Sequence, residues 1–445
     1  MKIRFKEKII KSIQILKNEG LINFIIYFAR FSKRIVNTIL FGSGSSPETS
    51  FEKIFNDRFP HTQQMREIIV DRDDLRLNII TDSLGNRSLF GGVATSLTLA
   101  VLFANKNKMP LRIITRETKN NPIDFYNFLK IQGLEKPSKV EFFSDFDRNI
   151  KGNNLNLETS SKDIYLTTSW WSTSVVSKLS QKNEVFYLLQ EIETYFYPYG
   201  DEYLYCKETL LCDDVHYIIN SSYLYEFYKN SEFKNIAQNS VFFEPAFSKA
   251  LYSPSLESFK RKEKYNLFFY ARPGNPRNLF YHGLKIINEA IKNEILDPKV
   301  WDIYFAGSKL PKIVLANGVK PTILGQMNWE EYSKLIKTVD LGICLMYTPH
   351  PSYPPLDIVS SGGAVLTNSF LNKKKLYYSD NIICSDLGEK EMLLNLEKAV
   401  GLAKNLKKRE KNYKNNQIKN DWSEALEKII EFMEKTVLKG ENNGS

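Results

Sequence analysis

Short apolar segments alternate with helix-like segments along most of this chain, and this alternation constrains its fold more than any other feature. The first apolar segment, LRLNIITDSL at residues 75–84, is followed by a glycine pair and by a helix-like stretch at 91–106. Strand-length apolar runs that alternate with helices are typical of a parallel sheet covered on both faces. The sequence therefore predicts an α/β fold. Further strands are predicted at residues 111–117, 140–146, 163–170, 184–192, 215–220, 266–273, 301–307, 341–347, 364–369 and 381–387.

The alternation is interrupted once, at residues 248–264, where the chain is polar and charged and resembles a linker. We therefore predict two doubly wound, Rossmann-like domains in series, at residues 73–258 and 259–445, after an N-terminal extension at 1–72. The terminal helices are assigned to the second domain. Open sheets of this kind bind ligands beyond the carboxyl ends of their strands. Two such domains facing each other would form a deep cleft.

The positive charge of the chain is concentrated near its two ends. The chain has 61 basic and 51 acidic residues, a net charge of +10, of which residues 1–40 carry +7 and residues 404–420 carry +6. The remainder is slightly acidic, which argues against a protein that wraps nucleic acid. Apolar residues recur at helical spacing in the first 16 residues, so we expect this segment to bind the inner-leaflet membrane surface. The alternative is a helix packed on the protein's own surface.

Cysteine spacing and apolar run length indicate the compartment. The four cysteines form no CxxC pair, which favours free thiols in a reducing compartment. The longest apolar run near the N-terminus, residues 21–29, is too short to span a bilayer, and no signal-peptide cleavage site follows it. We expect a cytoplasmic protein attached peripherally to the cytoplasmic face of the inner membrane.

In the predicted first domain, polar and aromatic residues follow three of the strands. Phe90-Gly91-Gly92 follows the first strand and opens a helix, whose amide groups favour anions; a tight turn without a ligand is the alternative. The segment YLLQEIETYFYP at 187–198 and the Ser-Trp-Trp-Ser segment at 169–172 combine groups that bind sugar hydroxyls with rings that stack on sugar faces. Core packing of these rings is the alternative.

In the predicted second domain, a proline-stiffened loop follows the first strand. The loop YARPGNPRN at 270–278 carries Arg272 and Arg277, and Asn278 can cap the next helix. Two guanidinium groups beside a helix start are suited to a diphosphate. A solvated basic loop is the alternative.

The segment PHPSYPPLDIVSSGGAVLTN at 349–368 is the most informative part of the chain. Its prolines predict an extended loop that leads into a short helix at 355–362. We place Asp357 in the first turn of this helix, where a carboxylate can accept hydrogen bonds from ribose hydroxyls. A charge that only favours the helix dipole is the alternative.

Together these loops resemble the WsaF-like rhamnosyltransferases, which are retaining-type enzymes related to glycosyltransferase family 4 and have the GT-B fold. The resemblance runs from about residue 75 to residue 430. It is carried by FGG, the Trp-Trp pair, the Gln-acid-x-Glu segment, the Arg-Pro-x-x-Pro-Arg-Asn loop and the Pro-His-Pro-Ser-Tyr-Pro-Pro-Leu-acid segment.

The resemblance implies roles for individual residues. Arg272 corresponds to the arginine that binds the donor diphosphate, and Arg277 stands where related enzymes place a second basic residue, often Lys. Asp357 stands where the family has the Glu that binds the ribose, and Glu191 where it has Asp on the acceptor side. Gln326 stands where the family has Lys. The position of the wider family's first Glu is occupied by proline, at 349.

From this resemblance we expect a glycosyltransferase that moves L-rhamnose from dTDP-L-rhamnose to a growing surface glycan or lipid-linked oligosaccharide. No DxD segment stands at a suitable strand end, so we expect a reaction without metal and without a cofactor other than the nucleotide sugar. The alternatives are a glycosyltransferase that uses a UDP- or GDP-linked hexose and a non-catalytic two-lobed binding protein.

The expected site comprises residues in three roles. The catalytic residues are Glu191, Arg272 and Arg277; the donor-binding residues are Gly91, Gly92, Arg272, Arg277, Asn278, Gln326, Tyr353 and Asp357; the acceptor-binding residues are Trp170, Trp171, Gln190, Glu191 and Glu193.

Overall fold

The computed structural model describes residues 49–85, 89, 91–146, 156–325 and 327–443. The chain divides into two compact units between Pro60 and His61. In the first unit the described residues form one helix, α1, at Phe51–Arg58. All strands described below belong to the second unit.

The described strands are β1 (Glu67–Ile69), β2 (Arg76–Thr81), β3 (Leu111–Thr115), β4 (Val140–Ser144), β5 (Leu157–Thr159), β6 (Asp163–Thr167), β7 (Val185–Leu189), β8 (His216–Asn220), β9 (Ser240–Phe243), β10 (Tyr265–Tyr270), β11 (Trp301–Ala306), β12 (Thr322–Leu324), β13 (Leu341–Ile343), β14 (Ala364–Asn368) and β15 (Ile382–Ser385). The helices that follow α1 are α2 (Gly92–Lys106), α3 (Pro122–Gln132), α4 (Trp170–Ser177), α5 (Asp201–Leu210), α6 (Ser222–Lys229), α7 (Lys234–Gln238), α8 (Phe280–Lys292), α9 (Trp329–Ile336), α10 (Tyr353–Ser360), α11 (Glu389–Lys404), α12 (Leu406–Lys414) and α13 (Trp422–Asn443).

The strands of the first domain form a seven-stranded sheet in the order β4-β3-β2-β6-β7-β8-β9. Every neighbouring pair is parallel. All residues of the central strands β2, β6 and β7 are buried, which explains why these segments are mostly apolar rather than alternating in the sequence. The order reverses at β2, so the loops after β2 and β6 diverge at the carboxyl edge of the sheet.

The second domain repeats this architecture with six parallel strands in the order β12-β11-β10-β13-β14-β15. The order reverses at β10, the strand that precedes the loop of Arg272 and Arg277, called here the arginine loop. The sequence did not predict the pair formed by β1 and β5 or the edge strands β9 and β12. These strands have only three or four residues, which is too short for a recognisable pattern.

From the sequence we expected all terminal helices to belong to the second domain, but the last helix belongs to the first domain. Helix α13 packs on α2 and β9 of the first domain, with Leu426, Ile429 and Met433 fully buried. The chain crosses back where the backbone N–H of Phe247 donates to the carbonyl oxygen of Lys419 (2.8 Å). The apolar face of α13 therefore completes the core of the first domain.

Within the described part of the chain, no helix is both long enough and apolar enough to cross a membrane. The predicted membrane-binding segment at residues 1–40 lies outside the described residues.

Candidate active site

The carboxyl ends of the two sheets enclose a cleft of about 690 Å³, called here the interdomain cleft. Loops after β2, β6 and β7 line it from the first domain, and loops after β10, β11 and β13 line it from the second. Most of the site residues predicted from the sequence line this cleft. Those that line the cleft are Gly91, Gly92, Trp171, Gln190, Glu191, Glu193, Arg272, Arg277, Tyr353 and Asp357.

Three carboxylic acids line the cleft on the side of the first domain. Glu191 and Glu193 follow β7, and Asp82 follows β2. Burial raises the pKa of all three groups, in the case of Glu193 to about 7. For each carboxyl group a neighbour that favours the charged form counteracts part of this rise in pKa. For Glu191 this neighbour is the Arg277 guanidinium. This side of the cleft therefore combines three carboxyl groups whose protonated forms are favoured by burial.

The two tryptophans have different surroundings. Trp171 lines the cleft, and its Nε1–H donates to Oδ1 of Asp82 (2.9 Å). Trp170 is buried, with its Nε1–H bound to the hydroxyl of Tyr197 (2.8 Å). The backbone N–H of Trp170 donates to Glu193 (2.8 Å) at the start of α4. The Trp170 ring thus packs in the domain and does not line the cleft, while Glu193 fixes the helix that carries both rings.

The glycine pair allows the chain to pass close to Gln190. Gly91 has a φ of +53° and precedes helix α2. A Cβ on Gly92 would lie 2.8 Å from Nε2 of Gln190, the atom that donates to the carbonyl oxygen of Gly92 (3.0 Å). In the structure the glycine pair and Gln190 therefore support each other, while both line the cleft. Phe90 lies outside the described residues.

The two arginines of the second domain have different partners. Nη1 of Arg277 donates to Oε2 of Glu191 (2.8 Å), and its guanidinium lies over the ring of Phe196, 4.7 Å from the centroid. Nη1 of Arg272 donates to the hydroxyl of Tyr270 (3.2 Å). Arg277 thus links the two domains across the cleft. Arg272 presents its charge to the cleft without a carboxylate partner among the described residues.

Asn278 does not line the cleft. Its side-chain amide donates to the carbonyl oxygen of Leu345 (3.2 Å), and the residue is almost fully buried. Helix α8 begins two residues later, with Leu279 at its cap position. Asn278 therefore fastens the arginine loop to the end of β13. The prediction that Asn278 caps the helix is wrong, because Leu279 occupies the cap position.

Asp357 is deeper in its helix than we predicted. Helix α10 begins at Tyr353, so Asp357 stands in its second turn rather than its first. Its Oδ2 accepts a hydrogen bond from the hydroxyl of Tyr332 (2.9 Å), and Tyr252 of the first domain also donates to it. Burial raises the pKa of Asp357 to about 8, and the two tyrosine hydroxyls oppose this rise. The Asp357 side chain still lines the cleft, where it can accept hydrogen bonds from hydroxyl groups of a ligand.

Tyr353 links the domains. Its hydroxyl lies 2.6 Å from Oγ1 of Thr95 and accepts a hydrogen bond from Nδ2 of Asn220 (2.8 Å). Both partners belong to the first domain. The phenol therefore fixes the start of α10 against the opposite side of the cleft. Gln326 lies outside the described residues, and its neighbours Gly325 and Met327 line the cleft.

Two further cleft residues were missed in the sequence analysis. Asp82 follows the first buried strand directly, and a polar residue in that position was the available signal. His350 lies in the proline-rich segment; its Nδ1 accepts a hydrogen bond from the backbone N–H of Ser352 (3.0 Å). Burial and the charges of Arg277 and Lys373 lower the pKa of His350 to about 3, so the ring is neutral and carries its proton on Nε2.

Within the described residues, no group of three or more His, Cys, Asp or Glu side chains is arranged to hold a metal ion.

Both halves of the chain match models of one family. Residues 76–222 match the model described as WsaF, N-terminal domain, and residues 265–397 match the model described as WsaF, C-terminal domain. The two matches together cover well over half of the chain.

One curated relative is the O-antigen biosynthesis protein RfbC of Myxococcus xanthus. It is 30% identical over 240 residues, which amount to 54% of this chain and 18% of RfbC. The chain thus spans less than a fifth of the length of this relative.

Several solved structures share the architecture at low sequence identity. Sucrose-phosphate synthase of Thermosynechococcus elongatus is 12% identical, with a TM-score of 0.55 over 83% of this chain and 100% of that chain. Anabaena HepE in complex with UDP and glucose is 13% identical, with a TM-score of 0.54 over 81% and 100%. A TarM variant of S. aureus in complex with fondaparinux, alpha-GlcNAc-glycerol and UDP is 9% identical, with a TM-score of 0.57 over 80% and 99%.

Likeness at this level of identity shows the fold, and it confirms the prediction of two Rossmann-like domains that face each other across a cleft. The family matches confirm the resemblance on which the site residues were chosen. The chain therefore belongs to the WsaF family, and its two domains form the GT-B glycosyltransferase fold.

Proposed function

We propose that this protein is a glycosyltransferase of polysaccharide biosynthesis that transfers L-rhamnose from dTDP-L-rhamnose to a growing cell-surface glycan. The observation that carries the proposal is the pair of arginines in the interdomain cleft, opposite the carboxylate of Glu191. Cations on one domain and acids on the other are what a diphosphate donor and a hydroxyl acceptor require. Membership of the WsaF family and the relative in O-antigen biosynthesis support the same class of reaction.

On the donor side, Arg272 and Arg277 would neutralise the negative charge that develops on the departing nucleoside diphosphate. The loop that carries them is stiffened by two prolines and fastened by Asn278, so the guanidinium groups need little reorganisation. Asp357 would accept a hydrogen bond from the 3′-hydroxyl of the nucleotide's deoxyribose. Its tyrosine partners hold its carboxyl group in one orientation.

On the acceptor side, Glu191 would accept the hydrogen bond of the reacting hydroxyl. Its charged form is favoured by Arg277 and by the backbone N–H of Ile192, which donates to Oε1 (3.2 Å). Trp171, oriented by Asp82, offers an indole ring on the same side of the cleft. The acceptor is a glycan or a lipid-linked oligosaccharide.

A donor with another base is a second candidate. The HepE and TarM structures contain UDP, which favours nucleoside diphosphates as a class without selecting the base. A non-catalytic two-lobed binding protein remains the alternative of another class, and the clustering of acids opposite the arginines argues against it.

A donor panel tests the proposal. Calorimetry with dTDP, UDP and GDP measures nucleotide affinity, and mass spectrometry detects transfer from dTDP-L-rhamnose, UDP-hexoses and GDP-hexoses. Charge-assisted hydrogen bonds contribute about 1.5–3 kcal/mol each, so Arg272→Ala should weaken dTDP binding by roughly tenfold or more and also lower kcat. Arg277→Lys should retain more activity than Arg277→Ala, because Lys keeps the positive charge. It should remain below the wild type, because Lys loses the planar contact with Phe196.

The exposed linker variant Arg261→Ala serves as the matched control and should behave as the wild type. Wild-type affinity and rate in Arg272→Ala would refute the proposed donor site. Nucleotide binding without transfer from any donor would favour a non-catalytic protein, and transfer only from UDP- or GDP-sugars would replace the proposed donor.

A further inference from the structure

Four aromatic side chains form a strip at the rim of the interdomain cleft, called here the aromatic strip: Tyr195, Phe196, Tyr347 and Phe370. Tyr195 and Phe196 belong to the first domain and follow β7, whereas Tyr347 and Phe370 belong to the second domain and follow β13 and β14. Tyr195, Phe196 and Tyr347 are 53%, 44% and 48% exposed. Large aromatic side chains with half of their surface in water are informative when they are contiguous, because soluble proteins seldom maintain such patches without a binding role.

Three rings of the aromatic strip contact one another across the domain boundary, and the fourth, Phe196, is next to Tyr195 in the chain. The centroids of Tyr195 and Phe370 are 6.4 Å apart, and those of Tyr347 and Phe370 are 4.7 Å apart. Both pairs are close to perpendicular, an arrangement that aromatic rings favour. Tyr195 also packs against Phe227 behind it (6.1 Å). The rings are therefore fixed in place and present an apolar surface of defined shape.

The aromatic strip is continuous with the candidate active site. Phe196 lines the interdomain cleft, and the guanidinium of Arg277 lies 4.7 Å from the centre of its ring. The same guanidinium donates to Glu191 (2.8 Å), the residue placed on the acceptor side. A molecule whose reacting hydroxyl reaches Glu191 would therefore leave the cleft along these rings.

We propose that the aromatic strip is an acceptor subsite that stacks against the sugar residues preceding the acceptor hydroxyl of a glycan chain. The apolar C–H faces of sugar rings match exposed aromatic faces, and the phenol groups of Tyr195 and Tyr347 can hydrogen-bond the hydroxyls at the ring edges. The rings pack edge to face between two domains rather than projecting freely, which suits a shaped glycan better than the disordered chains of a lipid. This inference rests on the proposed function for the identity of the acceptor.

Because the aromatic strip combines rings from both domains, a glycan bound there would contact both domains at once. A single sugar bound beside Glu191 would contact only Phe196 of the strip, whereas longer chains would reach Tyr195, Tyr347 and Phe370. Dependence on acceptor length is therefore the property that distinguishes this subsite from the reaction centre.

The experiment uses the full chain and α-linked rhamnose oligosaccharides of one to four residues as probes. Binding is measured by ligand-observed NMR in the presence of dTDP, and transfer kinetics are measured with the same acceptors. Tyr195→Ala and Tyr347→Ala should each weaken binding of the longest oligosaccharide by about tenfold and raise its KM to a similar extent. Monosaccharide binding, kcat and dTDP affinity should stay at wild-type values, and Tyr195→Phe should retain most of the affinity.

The matched control is Tyr281→Ala, which removes a 73% exposed ring on α8 that does not line the cleft. It should leave every measurement unchanged. Equal oligosaccharide affinity in the wild type and in both strip variants would overturn the inference, as would the absence of oligosaccharide binding to the wild type. Loss of binding to phosphatidylglycerol vesicles in the strip variants, with oligosaccharide affinity unchanged, would assign the strip to lipid instead.

The two proposals can fail separately. Oligosaccharide binding that depends on Tyr195 without any sugar transfer would retain the aromatic strip and refute the enzymatic function. Sugar transfer that is indifferent to Tyr195 and Tyr347 would do the reverse.

Discussion

At the scale of single residues, the contact between Arg277 and Glu191 joins the donor and acceptor sides of the cleft. The two groups are 2.8 Å apart, and each comes from a different domain. Burial raises the pKa of the Glu191 carboxyl, whereas the guanidinium opposes that rise. The protonation of Glu191 therefore depends on where Arg277 lies, which ties the acidity of the acceptor side to the position of a donor-side cation.

Glu191→Gln tests the role of this carboxylate. The substitution keeps the size of the side chain and removes its charge, so transfer should fall by about 100-fold or more if the carboxylate assists the reacting hydroxyl. Affinity for dTDP, measured by calorimetry, should be retained, because the donor arginines remain in place. Glu226→Gln, an exposed change on α6, is the control. A loss of dTDP affinity in Glu191→Gln would mean that Glu191 acts on the donor side.

Asp357 predicts a dependence of stability on pH. Its pKa is about 8 in the folded chain, against about 3.9 in an unfolded chain. Between these values the folded state binds more protons than the unfolded state, so this group stabilises the fold fully below pH 4 and loses that contribution as pH rises through 8. In Asp357→Asn this loss is absent. Relative to the wild type, the variant should gain at least about 1.4 kcal/mol between pH 5 and pH 8.

Thermal unfolding at several pH values measures this difference, with the partly exposed Asp302→Asn as control. Asp302→Asn should follow the wild type across the range. Melting temperatures of Asp357→Asn that run parallel to those of the wild type would contradict the raised pKa.

At the scale of elements, helix α13 completes a domain from which it is distant in the chain. Its buried residues Leu426, Ile429 and Met433 belong to the same core as helix α2 and strands β2 and β3. A helix packs through its apolar face wherever that face finds a partner, and here the partner lies more than 300 residues earlier. The first domain is therefore built from both ends of the described chain.

Met433→Ala tests this assignment. Removing a fully buried side chain should cost about 2–5 kcal/mol of stability, because it leaves a cavity between α13 and the first domain. Leu438→Ala, on the same helix and 60% exposed, should change stability by less than about 0.5 kcal/mol. Thermal unfolding measures both variants. Equal effects of the two substitutions would show that α13 does not pack through this face.

At the scale of the whole molecule, the two domains are tied at several points around the cleft. The hydroxyl of Tyr353 contacts Thr95 and Asn220, and the indole Nε1–H of Trp329 donates to the carbonyl oxygen of Leu89 (2.7 Å). These contacts come from helices α9 and α10 of the second domain. They place Asp357 and the arginine loop opposite the acids of the first domain, so the geometry of the site depends on the contact between domains.

Attachment to a membrane surface is the remaining prediction at this scale. The net charge of +7 in residues 1–40 and the apolar residues that recur at helical spacing in the first 16 positions should hold the protein on anionic vesicles, since each basic side chain near such a surface contributes about 1 kcal/mol. Co-sedimentation of the full chain should exceed that of a chain beginning at residue 41 by a clear margin at low salt. The difference should shrink on neutral vesicles, and equal co-sedimentation of the two chains would contradict the prediction.

The sequence by itself determined the parallel α/β architecture, the two domains and the loops that line the cleft. Buried strands such as Val185–Leu189 are apolar throughout, and that pattern is local, so it can be recognised without the fold. The site residues at strand ends followed from a topological rule, that ligands bind beyond the carboxyl ends of parallel strands. Glu191 and Arg272 are in the cleft for this reason.

Only the tertiary structure decided which partner each of these residues has. Arg277 and Glu191 are 86 positions apart in the chain, and nothing in either segment specifies that they meet. The same holds for the return of α13 to the first domain, for Trp170 packing inward while Trp171 lines the cleft, and for the contact between Tyr195 and Phe370. Local pattern fixes the face of an element that is buried, whereas long-range packing selects the surface that covers it, and packing is set by the shape of the whole chain.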